Sequence, residues 1–306
     1  MLHITRVEDG IEIYKALGSE VRVEILKTLL ENGSMYMNEL ASHLNITSGA
    51  LTAHIRKLEE TGIVKVSPES TGHGNRKICS VQLDSIMIDL KESGDGQKNI
   101  SKISIPVGHY VAYDVTPTCG LSTATSIIGQ VDDARYFSHP DRYNADILWF
   151  TKGYVEYDIP NLIPVSQQID QISLSFEICS EAPGFNEEWP SDIHFSLNGT
   201  PLGYWTSPGD FGDVHGLLTP EWWYPNWNQY GLLKMFVINH RGCFIDGLRI
   251  SETRIDDFRL NAHSALHFRF SVPEDAKHVG GLTLFGKTFG NYSQDIEARI
   301  SYSPVS

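Results

Sequence analysis

The spacing of apolar residues changes once along this chain, and that change divides it. Through residues 1–90, Leu, Ile and Val recur every three or four positions, the period of a helix with one buried face. Beyond residue 102 they alternate in short runs: Ile103-Ser104-Ile105, Ile172-Ser173-Leu174-Ser175-Phe176, Ile193-His194-Phe195-Ser196-Leu197 and Leu266-His267-Phe268-Arg269-Phe270. That is the period of strands with one covered face. Residues 91–101, polar and carrying Gly94 and Gly96, read as a linker. A chain of 306 residues has room for two cores. The expected fold class is multidomain α+β: a helical domain at 1–90 and an all-β sandwich of jelly-roll type at 102–306.

Within the first region, Val21, Ile25 and Leu29, joined by Leu26 and Leu30, predict one buried helical stripe, capped by Ser19 and stopped by Gly33. A short helix follows through residues 39–44, and Asn45 suits a left-handed turn. A longer helix is predicted over 47–61, with Thr47 as its cap and Ile46 stapled onto Leu51. It buries Leu51, Ile55 and Leu58. Gly62 ends it, and a β-hairpin follows from Ile63 to Val81, turning at a polar tip between Pro68 and Asn75. Helix, turn, helix and hairpin in that order make a winged helix–turn–helix.

The outward face of helix 47–61 carries Thr47, Ser48, Gly49, Thr52, Ala53 and His54, then Arg56 and Lys57. A helix that enters a major groove needs small and hydroxyl side chains where its backbone nears base edges, and cations for guanine or phosphate. Arg76 and Lys77, on the return strand of the wing, are placed to meet phosphate or the minor groove, or to be solvated edge charges. A solvated helix face would share this pattern; the complete helix–turn–helix–wing order favours DNA.

Three runs carry a resemblance to a family: 16–26 (Ala16-Leu17-Gly18-Ser19-Glu20-Val21-Arg22-Val23-Glu24-Ile25-Leu26), 40–47 and 54–64. Together the stretch 8–88 resembles the ArsR-type winged helix–turn–helix. The resemblance implies a homodimeric bacterial transcription regulator, commonly a repressor released by its effector. Metal-sensing members carry a cysteine motif before the recognition helix; here that stretch is Tyr36-Met37-Asn38-Glu39-Leu40-Ala41-Ser42-His43, without Cys. Thiol-based metal sensing is therefore not expected. The runs 178–184 and 206–212 also resemble the extension found on a subset of these regulators.

Charge and cysteine usage narrow the classes further. The formal net charge is −14, of which residues 1–90 hold −3, so the body as a whole does not attract nucleic acid. Residues 47–80 are locally basic. Cys79, Cys119, Cys179 and Cys243 are too scattered for a disulfide framework or a zinc knuckle and read as reduced packing residues of a cytoplasmic protein. No apolar run reaches the roughly 18 residues of a membrane span, and the start of the chain lacks a secretory h-region.

All six tryptophans fall in the second region, five of them between Trp189 and Trp227. Trp189, Trp205, Trp222, Trp223 and Trp227, with Tyr230 just beyond them and Asp192, Asp210, Asp213 and His215 near in sequence, suggest a pocket for a small polar effector, a saccharide. Indole faces pack on sugar C–H faces while carboxylates bond hydroxyls. The same aromatics would equally fill a core or pin long loops. Two rival classes remain at this point: a glycoside-active enzyme with a DNA-binding appendage, and a structural dimerisation module. No catalytic residue, metal ligand or cofactor is assigned. No nucleotide-binding glycine fingerprint occurs, and His263 and His267 would lie about 13 Å apart on a strand. The expected partners are double-stranded operator DNA, a second copy of the chain and the effector, with no membrane.

Overall fold

A computed structural model describes residues 2–4, 7–71, 74–83, 86–88 and 99–305. The chain divides into two compact units, 1–95 and 96–306. Of the expected linker, residues 91–98 lie outside the described residues. Asn99, Ile100 and Ser101 are not linker: they open a strand and pair with Tyr302, Ser301 and Ile300.

Unit 1 contains β1 (Leu2–Ile4), α1 (Ile11–Leu17), α2 (Glu20–Asn32), β2 (Met35–Tyr36), α3 (Met37–His43), α4 (Ser48–Glu60), β3 (Val64–Thr71), β4 (Gly74–Val81) and β5 (Ile86–Ile88). Strands β3 and β4 form the antiparallel wing, β2 adds to the outer side of β4, and β1 pairs in parallel with β5. The tip of the wing, Gly72 and His73, lies outside the described residues. Ile25 and Leu29 of α2, Leu40 of α3 and Leu51, Ile55 and Leu58 of α4 close one core with Ile63, Val64 and Cys79.

Two expectations for α2 need correction. Val21 and Leu30 do not belong to the buried stripe; they are exposed, Leu30 by 68%. The buried positions are Arg22, Ile25, Thr28 and Leu29, so Val21, just before Arg22, and Leu30, just after Leu29, fall outside the covered face. Ser19 sits at the N-cap, but its side chain bonds no helix N–H. The junction is held instead by buried Arg22, whose Nη2 donates to the Lys15 carbonyl at 2.7 Å and whose Nε donates to the Ala16 carbonyl. These carbonyls belong to the last turn of α1, where no helix N–H follows to bond them. Gly33 and Gly62, at φ 71° and 72°, and Asn45, at 52°, take the expected left-handed conformations.

Unit 2 contains β6 (Asn99–Ile105), β7 (Ala112–Ser122), β8 (Ile147–Asp158), β9 (Gln167–Cys179), β10 (Ser191–Leu197), β11 (Thr200–Ser207), β12 (Leu232–Asn239), β13 (Gly242–Ile245), β14 (Leu248–Ser251), β15 (His267–Val272), β16 (Leu282–Phe285) and β17 (Ile296–Pro304). The all-β reading holds. The two layers expected of a sandwich are parts of one 12-stranded antiparallel network, ordered β11-β10-β15-β8-β16-β9-β12-β13-β14, with β7 on β8 and β17 and β6 beyond β9. The network curls towards a barrel until β14 lies against β11: a Cβ at Gly203 would stand 2.7 Å from the Ile250 carbonyl oxygen. Asn198-Gly199 makes the predicted hairpin between β10 and β11, both residues at positive φ.

Phe176, Phe195, Phe236, Phe268 and Phe270 fill the interior. A second, smaller core lies on the other side of the same strands. In β8, Leu148 and Phe150 face the main core, while Ile147 and Trp149 face Cys179, Trp223, Phe285 and Phe289. Ile147 to Phe150 are therefore apolar at every position because both faces of the sheet are covered there. The cover is the 208–231 loop that carries Trp223 and Trp227.

Candidate nucleic-acid interface and ligand cleft

The outward face of α4, the candidate recognition face, is built by the helix period. Leu51, Ile55 and Leu58 are fully buried, which turns Ser48, Gly49, Thr52, Ala53, Arg56 and Lys57 outward; His54 is half-buried. Thr47 caps the helix as expected, its Oγ1 accepting from the Ala50 N–H at 3.2 Å. The Thr52 hydroxyl donates to the Ser48 carbonyl at 2.7 Å, and Arg56 is held by Glu60 at 2.9 Å, both in open solvent. Arg76 lies over the Tyr36 ring at 5.4 Å, which braces it on the wing, and Lys77 is exposed beside it. Gly49 is informative. A Cβ there would meet nothing within 4 Å, so no packing inside the molecule requires glycine. Glycine costs a helix about 0.8–1 kcal/mol against alanine in its interior. Its use at the start of α4 fits a surface that another backbone must approach closely.

The aromatic region of unit 2 divides differently from the sequence expectation. Trp223 is buried, edge-to-face with Trp149 at 5.8 Å and with Trp227 at 5.1 Å. Its Nε1 donates to the Asn228 carbonyl at 2.8 Å, so it is a core and anchoring residue. Trp222 is part-exposed, donating to the Ala124 carbonyl, and Trp189 donates to the Glu181 carbonyl. Trp205 has its ring covered by Lys234 at 4.7 Å. Asp192 is taken up by Thr206 and His278, Asp213 by the Tyr230 hydroxyl, and His215 by Gln229. These contacts brace loops, and none of these residues lines the cleft around Glu181.

One cleft of about 180 Å3 does form, and Trp227 is the residue of the predicted set that lines it. Trp149, from the middle of β8, supplies its second indole, in contact with Trp227 at 5.9 Å. The polar lining comes from Thr118 of β7, Asp132, Glu181 just past β9, and Asn228. For scale, an apolar cavity of about 150 Å3 in another protein holds a benzene ring. This cleft has room for one ring.

Glu181 is the chemical centre of the cleft. Its Oε1 accepts from the Thr118 hydroxyl at 3.2 Å, and its Oε2 from the Thr283 hydroxyl at 3.0 Å and the Asn228 amide at 3.2 Å. Gly281, at φ 71°, lets this happen: a Cβ there would stand 2.6 Å from the Cβ of Glu181. Behind it Asp210 is fully buried, accepting from the Ala182 N–H at 2.9 Å. Asp210 was expected to touch ligand; it stands behind the lining and acts on Glu181 through charge. Burial, then the neighbouring Asp210 carboxyl, pushes the Glu181 acid well above the usual carboxylate range. Burial raises Asp210 to about 7. No Lys, Arg or His bonds either carboxyl among the described residues.

Sequence reading missed Thr118, Asp132, Trp149 and Glu181. They are spread from 118 to 181 along the chain, and strand pairing of β7, β8, β9 and β16 brings them together. No local pattern marked Glu181: the strand before it alternates through Ile172-Ser173-Leu174-Ser175-Phe176 and carries another buried acidic residue, Glu177, so a Glu just past its end did not stand out.

Comparison with known proteins bears on unit 1. Residues 19–65 match the family model for winged helix–turn–helix DNA-binding domains. An uncharacterized HTH-type transcriptional regulator of Methanocaldococcus jannaschii is 38% identical over 66 residues, covering 22% of this chain and 74% of that protein. No helix among the described residues is long and apolar enough to cross a membrane. The matched segment contains α2, α3 and the whole of α4 with its Thr47 cap, and the chain belongs to the winged helix–turn–helix transcriptional regulators that bind double-stranded DNA.

Proposed function

We propose that this regulator is of ArsR type, works as a homodimer and is a repressor controlled by a small polar molecule, a saccharide, held in the unit 2 cleft. Two α4 helices must reach major grooves about 34 Å apart to read a palindrome, which one domain of this size cannot do. Thr47, Ser48, Gly49, Thr52, Ala53 and His54 approach base edges; Arg56, Lys57, Arg76 and Lys77 meet guanine or phosphate. The observation that carries the ligand reading is the buried Glu181 carboxyl opening into a cleft walled by Trp149 and Trp227. The cleft signals to DNA if its ligand prefers one dimer geometry, and a coupling of about 1–3 kcal/mol is typical.

Thiol-based metal control does not fit the wing: Cys79 is buried, its Sγ 3.1 Å from Met37 Sδ, and burial pushes its thiol up to about 11. The test of the sensor reading is a thermal-shift screen of monosaccharides on the full chain, with tryptophan emission as a second readout. Ligand at a hundred times its Kd stabilises by about 2.7 kcal/mol. A flat response in both readouts across the panel would remove the reading.

One observation favours a second reading, a glycoside-active enzyme: Asp132 and Glu181 both line the cleft, and environment raises the Glu181 acid. Release of the aryl group from aryl glycosides by the full chain separates the two. The sensor reading expects none above a Glu181→Gln control.

A further inference from the structure

Everything that lines the cleft is neutral or acidic. Asp132 and Glu181 bring carboxyls, Thr118 and Asn228 neutral polar groups, and the rest is apolar; no Lys, Arg or His is present in the lining. An anionic ligand would therefore meet carboxyls without a counter-charge. Three donors from three separate elements converge on Glu181: Thr118, Thr283 and Asn228. The Asn228 amide N–H can only donate, while the Thr118 and Thr283 hydroxyls can donate to a carboxylate or accept from the acid, so the site can satisfy Glu181 in either state. The surroundings can thus satisfy a negative Glu181, yet among the described residues no cation bonds it, and Asp210 behind it would add to the unbalanced charge. The missing partner is a positive charge. The indoles of Trp149 and Trp227, beside the carboxyl, offer the surface on which a ring carrying that charge can lie.

We infer that the cleft takes a saccharide bearing a protonated amino group, its ammonium against Glu181 and Asp132 and its C–H face on Trp149 and Trp227. This rests on the sensor reading of the same cleft and narrows it to one ligand class. Before binding, the Glu181–Asp210 pair holds a proton. On binding, that proton goes to solvent and the ammonium takes its place as the partner of the carboxylate. The other titratable groups facing the pair are Asp132 and the thiols of Cys119 and Cys179. Burial pushes Cys119 up to about 12 and Cys179 well above its ordinary value, so both stay neutral throughout. Protons then compete with the ligand, and affinity falls as pH falls.

The test is calorimetric titration of the full chain with D-glucosamine and D-galactosamine against D-glucose and D-galactose. It is run at about pH 5.5 and about pH 6.5, each in two buffers of different ionisation heat. One amino sugar should bind at least tenfold tighter than its neutral parent at the higher pH. Its affinity should drop up to about tenfold at the lower pH, with up to one proton released per ligand. Glu181→Gln, checked for folding by melting, should bring that amino sugar down to the affinity of its parent and abolish the release. A neutral parent that binds as tightly, or an amino sugar that binds without pH dependence or proton release, would overturn the inference and leave the sensor reading standing. No binding by any of the four sugars, with a flat thermal-shift screen, would overturn both.

Discussion

The two units treat polar side chains in opposite ways. On α4, Ser48, Thr52, Arg56 and Lys57 stand in water around an apolar seam and make only local contacts, such as Arg56 with Glu60. In the cleft of unit 2, Glu181 and Asp210 are buried and each side-chain bond comes from a different part of the chain. The first surface is cheap to build and leaves its affinity to be made on a partner. The second is costly to build, since burial of a carboxyl opposes its charge, and is fixed before any ligand arrives. Mutations on the first should therefore change binding with little effect on folding, and mutations in the second should change folding and binding together.

Trp149→Ala should break the second pattern most severely. The ring is 5% exposed and packs on Trp223 and Trp227. Its loss should cost about 3–5 kcal/mol, read as a lower denaturant midpoint for unit 2 with the unit 1 transition unmoved. Arg56→Ala should leave both transitions in place and weaken specific DNA binding by about 1–3 kcal/mol if the side chain reads guanine. If it meets phosphate, all sequences weaken alike and the slope of affinity against salt falls by about one unit.

The buried pair adds a pH signature that α4 lacks. Glu181 and Asp210 hold protons more tightly when folded, so their contribution is complete below about pH 4 and is lost as pH rises, for Asp210 through about 7. Glu181→Gln keeps the shape and removes a charge. It should stabilise unit 2 by roughly 1–3 kcal/mol at pH 8 and by much less at pH 5, measured by urea unfolding at both. Gly49→Ala is the smallest change and the sharpest contrast: because its Cβ has open space, folding should be unchanged or stabilised by up to about 0.5 kcal/mol, while operator affinity falls.

Legibility in the sequence followed the same division. The winged helix–turn–helix could be read because its signals are local: Thr47 caps, Asn45 and Gly62 turn, and Leu51, Ile55 and Leu58 fix which face is outward. The misread positions there, Val21 and Leu30, lie at the rim of a stripe, where spacing alone does not separate buried from exposed. Arg22 was missed because its partners are backbone carbonyls, which no residue pattern announces. In unit 2 the period of two gave the strands, but not that Ile147 to Phe150 are covered on both faces. The cleft depends on pairings between distant strands, so the dense tryptophan run pointed to the 208–231 loop while half of the aromatic wall, Trp149, came from β8.

The central claim is that unit 1 reads DNA through α4. The most direct measurement is selection of duplexes from a random pool by the full chain, followed by anisotropy titration of the enriched duplex against wild type, Gly49→Ala and Arg56→Ala. The account predicts an enriched palindrome with half-sites about one helical turn apart, 10–10.5 base pairs, and weaker binding by both folded variants. No enriched sequence, or an enriched one that both variants bind as tightly as wild type, would contradict it.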